Sequence, residues 1–170
     1  YITSDKCYLN LDSKKSYKEN DTLGGLDNYS SSKASAELIF SSYFNSYFKN
    51  NKNLTVASAR AGNVIGGGDM KENRIVPDII KSIIQNKTLN LRNPRATRPW
   101  QHVLEPLSGY LLLGHRLLNK NLNTKITPSW NFGPKVKNCK DVSLITQLVL
   151  ENWNMKNFKL RTDKVSKYYE

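Results

Sequence analysis

The sequence contains few of the residues that build metal sites, disulfide scaffolds or membrane segments. Among its 170 residues there are two cysteines, Cys7 and Cys139, and two histidines, His102 and His115. These four lie far apart, without the spacing of metal ligands or of a disulfide framework, so the sequence predicts ordinary thiols and no metal site. The chain has no long apolar run, which argues against a membrane span, and no signal peptide is visible.

Acidic residues are also scarce, with 14 Asp and Glu against 26 Lys and Arg and a formal net charge of +12. An excess of this size can indicate a nucleic-acid partner. The lysines are instead scattered among asparagines and form no continuous basic stripe, so we expect a solvated surface and no nucleic-acid binding. With 38% hydrophobic residues, the chain can still build a globular core.

A third absence is the phosphate loop of dinucleotide-binding proteins. No Gly-x-x-Gly-x-x-Gly segment lies between a strand and a helix, and the glycines of the segment 62–68 have the wrong spacing. The chain also begins with Tyr1, inside an apparent strand. We therefore expect a chain that lacks an N-terminal part, and we interpret 62–68 as a loop on the substrate side.

Strands and helices alternate along the chain, which is typical of an α/β fold with a parallel sheet. The helix over 29–49 is expected to place Ala34, Leu38, Tyr43 and Tyr47 on or near one face. The other predicted elements are strands over 1–4, 54–60, 89–91 and 130–132, helices over 75–85 and 105–118, and a helix capped by Asp141.

The most informative motif is Tyr29-Ser-Ser-Ser-Lys33, because residues four apart on a helix project from the same face. A cation close to a phenol stabilises the phenolate, so such a pair forms an activated base that can take the proton of a sugar hydroxyl. A tyrosine and a lysine at this spacing also occur by chance at exposed helix starts. The motif therefore gains its meaning from the strand-end residues around it.

Polar residues follow two of the predicted strands. Ser4, Asp5 and Lys6 come at the end of the first strand, and Asn63 follows the strand over 54–60. Ligands of doubly wound sheets bind at the carboxyl ends of the parallel strands, so these residues are expected to converge on one cleft. An Asp-Lys pair can also be a surface ion pair in a loop.

These segments together resemble the extended short-chain dehydrogenase/reductases, and within them the CDP-glucose 4,6-dehydratases. The resemblance runs in family order from the first residue to about Glu151. It is carried by Thr3-Ser-Asp-Lys-Cys-Tyr8, Leu23-Gly-Gly25 before the tyrosine motif, Ala59-Arg-Ala-Gly-Asn-Val-Ile-Gly-Gly-Gly-Asp69, Arg98-Pro-Trp-Gln-His-Val103, Glu105-Pro-Leu-Ser-Gly-Tyr110 and Trp130-Asn-Phe-Gly-Pro134.

The resemblance implies an α/β fold, namely the C-terminal part of a Rossmann-like doubly wound parallel sheet with part of a smaller substrate-binding domain. Residues 1–65 would be the second half of the NAD-binding Rossmann domain. Residues 66–170 would be mainly a nucleotide-sugar region that returns to the Rossmann core. The family also implies truncation at both ends, an inactive fragment, NAD as cofactor, a cytoplasmic location and a homodimer joined through helices that include the one starting at Tyr29.

For the reaction, the resemblance implies that Tyr29, assisted by Lys33, takes the proton of the hexose 4-hydroxyl while Ser4 hydrogen-bonds the same oxygen. Tyr29 and Lys33 would also contact NAD. Asp5 and Lys6 would eliminate water across C5 and C6, with Lys6 as base and Asp5 as acid. The two could share a proton, so the roles within this pair stay open. Hydride return to C6 gives a 4-keto-6-deoxy sugar, a precursor of deoxyhexoses in surface polysaccharide such as O-antigen.

The resemblance also implies a set of substrate contacts for a nucleotide sugar, CDP-glucose. Asn63 would lie near the sugar and phosphate, Arg74 and Arg98 toward the diphosphate, and Asn131 would be a further polar contact. A guanidinium suits phosphate because its planar fork donates two parallel hydrogen bonds. Arg98 could equally form a surface salt bridge. The preference for cytosine rests on the resemblance alone.

Two other kinds of function stay open. Another nucleotide-sugar 4,6-dehydratase, such as one acting on UDP-N-acetylglucosamine, or a 4-epimerase would share the tyrosine motif. Epimerases have small or apolar residues in place of Asp5-Lys6 and so lack an acid/base pair for elimination. A non-catalytic dinucleotide-binding scaffold or regulator would need no intact set of Tyr29, Lys33 and Asp5.

Overall fold

The computed structural model describes residues 1–11, 16–119, 127–155 and 157–162, which form two compact units. Among the described residues, the first unit comprises Tyr1–Val64 and Gln101–Gly133, and the second comprises Ile65–Trp100 and those from Pro134 to Thr162. The helices and strands are β1 (Ile2–Ser4), α1 (Asn28–Tyr43), β2 (Ser58–Ala61), β3 (Val64–Ile65), α2 (Ile75–Ile84), β4 (Leu89–Leu91), β5 (Thr97–Arg98), β6 (Gln101–His102), α3 (Leu104–Leu118), β7 (Ser129–Phe132), β8 (Lys140–Asp141), α4 (Val142–Asn152) and β9 (Leu160–Thr162).

The first unit is built on a parallel sheet of three strands in the order β1, β2, β7. Thr3 lies opposite Arg60 on one side of β2, and Asn131 lies opposite Arg60 on the other. Parallel neighbours need helical crossovers, which α1 provides between β1 and β2 and α3 provides between β2 and β7. The predicted α/β class is therefore confirmed.

The two faces of this sheet have different chemistry. Side chains alternate along a strand, so Ser58 and Arg60 of β2 lie on one face, which α1 covers, and both contact Glu37 of that helix. We call this the polar face. The opposite, apolar face is covered by α3, and its core consists of Ala57, Ala59 and Leu113 with the partly buried Tyr110, Leu117, Trp130 and Phe132.

The four residues that the sequence placed on or near one face of this helix differ in burial. Ala34 is buried, Leu38 and Tyr43 are 58% and 53% exposed, and Tyr47, which lies in the segment after α1, is 67% exposed. Contact with the polar face, rather than apolarity, decides which positions of α1 are covered. The buried positions recur every three or four residues, as the helical period requires, and are Ser30, Ala34, Glu37 and Phe40.

The helix predicted over 29–49 consists of two parts. The α-helix ends at Tyr43, and a π-helical turn, Phe44–Phe48, continues it. The amide of Lys49 donates to the carbonyl of Phe44 at 2.8 Å, which closes the wider turn.

The second unit has a core of its own between α2, α4 and the pair of parallel strands β4 and β9. An apolar stripe of α2 recurs at helical spacing and meets the alternating inward residues of β4. A second pair of strands, β5 and β8, is antiparallel. The buried residues of the core are Ile79, Ile83, Leu89, Leu91 and Leu150.

Several predicted bounds agree with the structure. The strand Leu89–Leu91 is as predicted, and Asp141 is confirmed as the cap of α4, because its Oδ1 accepts from the amide of Leu144 at 2.7 Å. The strand predicted over 54–60 begins only at Ser58. Within the described ranges, no helix combines the length and apolarity needed to cross a lipid bilayer.

Candidate active site

The chain turns sharply directly after β1, at Asp5–Cys7. The hydroxyl of Ser4 organises this turn, because its Oγ accepts from the amide of Lys6 at 3.2 Å and donates to Oδ1 of Asp5 at 3.1 Å. Ser4, Asp5 and Lys6 are half-buried. Cys7 closes the turn as a fully buried free thiol, and burial raises its pKa to about 12. The turn therefore presents one hydroxyl, one carboxyl and one ammonium at a strand end.

Helix α1 begins with a capped first turn that carries the tyrosine motif. Asp27 is the cap, since its Oδ1 accepts from the amides of Tyr29 and Ser30, each at 2.9 Å. Hydrogen bonds from Ser30, then from Tyr29, hold the pKa of Asp27 below its ordinary value. Lys33 places its Nζ 5.5 Å from the centre of the Tyr29 ring, and the Tyr29 side chain is 55% exposed. The two groups of the motif therefore meet on one accessible helix face, as the spacing predicts.

The turn at Asp5–Cys7 packs directly against α1. The five residues predicted to be catalytic therefore lie at the end of β1, in the turn and on α1, which contacts both, within the first unit. The field of Lys6 also contributes to the lowered pKa of Asp27, after the hydrogen bonds to the cap. A carboxyl, an ammonium and a phenol thus lie on adjoining elements of the first unit.

Gly25 lets the loop before α1 approach the first helical turn. A Cβ added at Gly25 would lie 2.4 Å from the backbone nitrogen of Ser31 and 2.5 Å from Cβ of Ser30. The carbonyl of Gly25 in turn accepts from Oγ of Ser31 at 2.9 Å. Since no side chain fits at these separations, glycine sets the position at which the helix bearing Tyr29 begins.

A buried ion pair lies between α1 and the polar face of the sheet. Nη2 of Arg60 is 2.6 Å from Oε2 of Glu37, and the side chains are 4% and 0% exposed. Ser58 donates to Oε2 of Glu37 at 3.0 Å, and Thr3 donates to Oε1. Burial opposes the charged form of Glu37, but the hydrogen bonds from Arg60, Thr3 and Ser58 outweigh it, so the pKa of Glu37 lies below its ordinary value of 4.5.

The same arginine connects this pair to β7. Nη1 of Arg60 donates to the hydroxyl of Tyr8 at 2.7 Å, and that hydroxyl donates to Oδ1 of Asn131 at 2.7 Å. Nδ2 of Asn131 donates to the carbonyl of Tyr17 at 3.2 Å. The amide of Asn131 therefore bonds at both ends within the first unit, and its assignment as a substrate contact stays a prediction.

Asn63 follows β2 by two residues. Because Ser4 and Ala61 are opposite each other in the parallel ladder, Asn63 and the turn after β1 extend from the same edge of the sheet. Asn63 is half-buried, and its carbonyl accepts from the amide of Gln101 at 3.1 Å. The backbone thus places Asn63 at the expected edge, and its contact with a sugar stays a prediction.

The predicted diphosphate contacts belong to the second unit. Nη1 of Arg74 is 2.7 Å from Oδ2 of Asp69, and the hydrogen bond from Arg74 lowers the pKa of Asp69. Arg98 lies in β5, where its Nη1 donates to the carbonyl of Thr97 at 3.1 Å. The role of both arginines toward a phosphate stays a prediction.

Four residues of this region were not identified from the sequence, although three of them carry a signal. Asp27 stands directly before a predicted helix, where aspartate is a preferred cap. Glu37 follows Lys33 by four residues and therefore lies on the same helix face. Arg60 is a charged residue between alanines in a strand expected to be buried, which calls for a partner. Tyr8 carries no local signal, because its partners are distant in sequence.

No family model matches this sequence. Among curated proteins, it is similar to CDP-glucose 4,6-dehydratase of Salmonella typhimurium (strain LT2), with 46% identity over 156 residues. The match covers 89% of this chain and 43% of that protein, so the chain spans less than half the length of this relative.

The fold is similar to that of solved nucleotide-sugar enzymes. A dTDP-glucose 4,6-dehydratase from Bacillus anthracis, in complex with NAD, matches with a TM-score of 0.78 at 21% identity, over 95% of this chain and 48% of that one. A UDP-glucuronic acid 4-epimerase from Bacillus cereus matches with a TM-score of 0.76 at 17% identity, over 96% and 48%. At such identities these structures establish the fold alone. The resemblance to the CDP-glucose 4,6-dehydratases that the motifs carry is thus confirmed: along 89% of its length the chain is similar to part of such an enzyme.

Proposed function

We propose that these residues form the catalytic half of an NAD-dependent nucleotide-sugar 4,6-dehydratase that converts CDP-glucose to CDP-4-dehydro-6-deoxyglucose. One observation carries the proposal, namely the packing of the turn bearing Ser4, Asp5 and Lys6 against the helix bearing Tyr29 and Lys33. The choice of CDP-glucose rests on the 46% identity to the Salmonella enzyme.

The residues of α1 suit the redox part of this reaction. Tyr29, with the Lys33 ammonium beside its ring, takes the proton of the 4-hydroxyl, and Oγ of Ser4 hydrogen-bonds the same oxygen. NAD, when bound, supplies a reversible acceptor of hydride for this chemistry. The phenol of Tyr29, a residue that is 55% exposed, and the neighbouring ammonium of Lys33 fit such a cofactor, because both can donate hydrogen bonds from one helix face.

The turn after β1 suits the elimination. A 4-ketone acidifies the C5 proton, so a base at C5 and an acid at the C6 hydroxyl can expel water together. Lys6 in its neutral form takes the C5 proton, and Asp5 in its protonated form gives a proton to the leaving hydroxyl. Because both groups extend from one turn, a proton can pass between them, and the reverse assignment of base and acid is equally balanced. Hydride and a proton then add at C6 and C5, so that the sugar loses one water in total.

The substrate contacts complete the proposal. Asn63 would contact the sugar and phosphate, Asn131 would add a polar contact, and Arg74 and Arg98 would bind the diphosphate. A guanidinium offers phosphate two parallel hydrogen bonds, which supports the choice of arginine.

We also propose a homodimer joined through α1 and a cytoplasmic enzyme that supplies deoxysugars for surface polysaccharide such as O-antigen. The dimer is supported by large apolar side chains on the outer side of α1 and its π-helical extension. These are Leu38, Ile39, Tyr43 and Tyr47, each at least 53% exposed.

Turnover in deuterated water tests the function. The full-length gene product that contains these residues is incubated with CDP-glucose and NAD, and the product is analysed by mass spectrometry. We expect loss of one water and gain of one deuterium at C5. Unchanged mass with inversion at C4 would identify a 4-epimerase, and no turnover of any nucleotide hexose would favour a non-catalytic dinucleotide-binding protein.

Two variants assign the roles. Tyr29→Phe removes the phenol and keeps the ring, so we expect turnover to fall by at least about 100-fold. Tyr110→Phe, on the apolar face, is the matched control and should stay within about twofold of wild type. Asp5→Asn should allow oxidation at C4 but slow the loss of water. Equal effects of Tyr29→Phe and Tyr110→Phe would contradict the assignment.

A further inference from the structure

We propose that Glu37 is a positioning residue, whose carboxylate joins β1 to α1 and thereby fixes the turn bearing Ser4 relative to the helix face bearing Tyr29. This inference rests on the proposed function, because it assigns Glu37 a part in that reaction without contact with substrate or cofactor.

The two oxygens of the carboxylate bond to different elements. Oε1 accepts from Thr3, the residue directly before Ser4. Oε2 accepts from Arg60 and Ser58, which both belong to β2. Glu37 itself lies one helical turn beyond Lys33 and two beyond Tyr29. One side chain thus links the strand that leads into the elimination pair with the helix that carries the proton acceptor.

The linkage is dry. Glu37 is 1% exposed and Arg60 is 4% exposed, so neither water nor salt competes strongly for their charges. The hydroxyl of Tyr8, three residues beyond Asp5, also accepts from Arg60. The turn is therefore bounded on both sides by residues that bond to this ion pair or its carboxylate.

Stability alone gives a poor account of this arrangement. Buried ion pairs often contribute no more than apolar residues of similar volume, since both charges must leave water. Within the part of the chain that the structure describes, Nε of Arg60 is buried without a hydrogen-bond partner, which adds a further cost. The pair instead orients the elements that carry its two residues, because charge-assisted hydrogen bonds hold both partners in a defined geometry.

Two hydroxyl deletions separate positioning from stability. Thr3→Val and Ser58→Ala each remove one donor to the carboxylate of Glu37. Thr3 bonds from the strand that leads into Ser4, whereas Ser58 bonds from the neighbouring strand. Ser58 is 0% exposed, and its Oγ also lies 3.0 Å from Oγ of Ser129, from which it accepts a hydrogen bond, so a purely structural role would make Ser58→Ala the more harmful change.

The measurement is steady-state turnover of CDP-glucose by the full-length gene product, with unfolding by urea recorded for every variant. For Thr3→Val we expect kcat to fall roughly 10- to 100-fold while KM stays within about threefold. Ser58→Ala should keep kcat within about threefold, and Thr3→Ser, which restores the hydroxyl, should recover it. An equal or larger loss of kcat in Ser58→Ala, or a change confined to KM, would overturn the proposal.

Amide hydrogen exchange keeps the two proposals distinguishable if the wild type shows no turnover, an outcome that would reject the proposed function. Faster exchange over residues 28–34 in Thr3→Val than in Ser58→Ala would still support the linkage. Equal exchange in both variants would reject it.

Discussion

The two faces of the sheet in the first unit belong to the same strands but differ in chemistry. On the apolar face, Leu113 of α3 packs on Ala57 and Ala59. On the polar face, α1 reaches the sheet through the ion pair of Glu37 and Arg60. Apolar packing is non-directional, whereas charged hydrogen bonds have preferred angles and lengths. We infer that the apolar face mainly stabilises the sheet and that the polar face mainly orients the helix that carries Tyr29 and Lys33.

Arg60→Ala, on the polar face, should cause the largest loss of unfolding free energy. It leaves the buried carboxylate of Glu37 without its cation, which costs about 3–5 kcal/mol of the free energy of unfolding. The double variant Glu37→Leu/Arg60→Met removes both charges and should be much more stable than Arg60→Ala. Unfolding by urea measures both. A double variant as unstable as Arg60→Ala would show that the ion pair itself stabilises the fold.

Gly109→Ala, on the apolar face, should lower the free energy of unfolding by less than Arg60→Ala does. A Cβ at Gly109 would lie 2.3 Å from Cε1 of Phe132, a ring that packs edge-on against Tyr110. We expect a loss of about 1–3 kcal/mol, because the close approach of α3 to β7 must open. Gly114 is the matched control on the same helix, since an added Cβ there meets no described atom within 4 Å. Gly114→Ala should therefore stabilise by roughly 0.5–1 kcal/mol.

Asp27→Ala should cost about 1 kcal/mol, since the amides of Tyr29 and Ser30 lose their acceptor. Asp141→Ala removes the equivalent cap of α4 and should cost about as much. Only the change at Asp27 should lower turnover, because only that cap precedes the tyrosine motif. Equal turnover in the two variants would contradict the prediction that turnover depends on the cap of α1.

The pH dependence of stability should sharpen the comparison. The pKa of Glu37 is lower in the folded chain than its ordinary value of 4.5. Its contribution to stability is therefore complete above that value and decreases as pH falls below it, toward the folded pKa. We expect the stability difference between wild type and Glu37→Gln to shrink in that acidic range. Unfolding by urea across the range measures it, and a difference that does not change with pH would contradict the assignment.

Much of the fold could be predicted because its signals are local. The apolar stripe of α2, the strand Leu89–Leu91 and the cap at Asp141 each depend on residues within a few positions of one another. The tyrosine motif is equally local, so its two side chains meet on one helix face as predicted.

The packing of α1 could not be predicted from hydrophobicity. Glu37 is buried because it pairs with Arg60, which lies 23 residues away along the chain. The apolar Leu38 beside it is exposed. Burial of a charge is decided by its partner, and partners distant in sequence leave no periodic pattern. The division into two units has a similar origin, since the first unit is assembled from segments that the second interrupts.

Gly25 has a consequence for how freely this region can vary among related sequences. Its backbone lies against the backbone of Ser31, where every other amino acid would collide with the helix start. At Gly67 and Gly133, by contrast, a Cβ meets no described atom within 4 Å. A survey of all single substitutions should therefore find position 25 intolerant even of alanine, while both open glycines accept it. Selection at position 25 would therefore act on the size of the side chain.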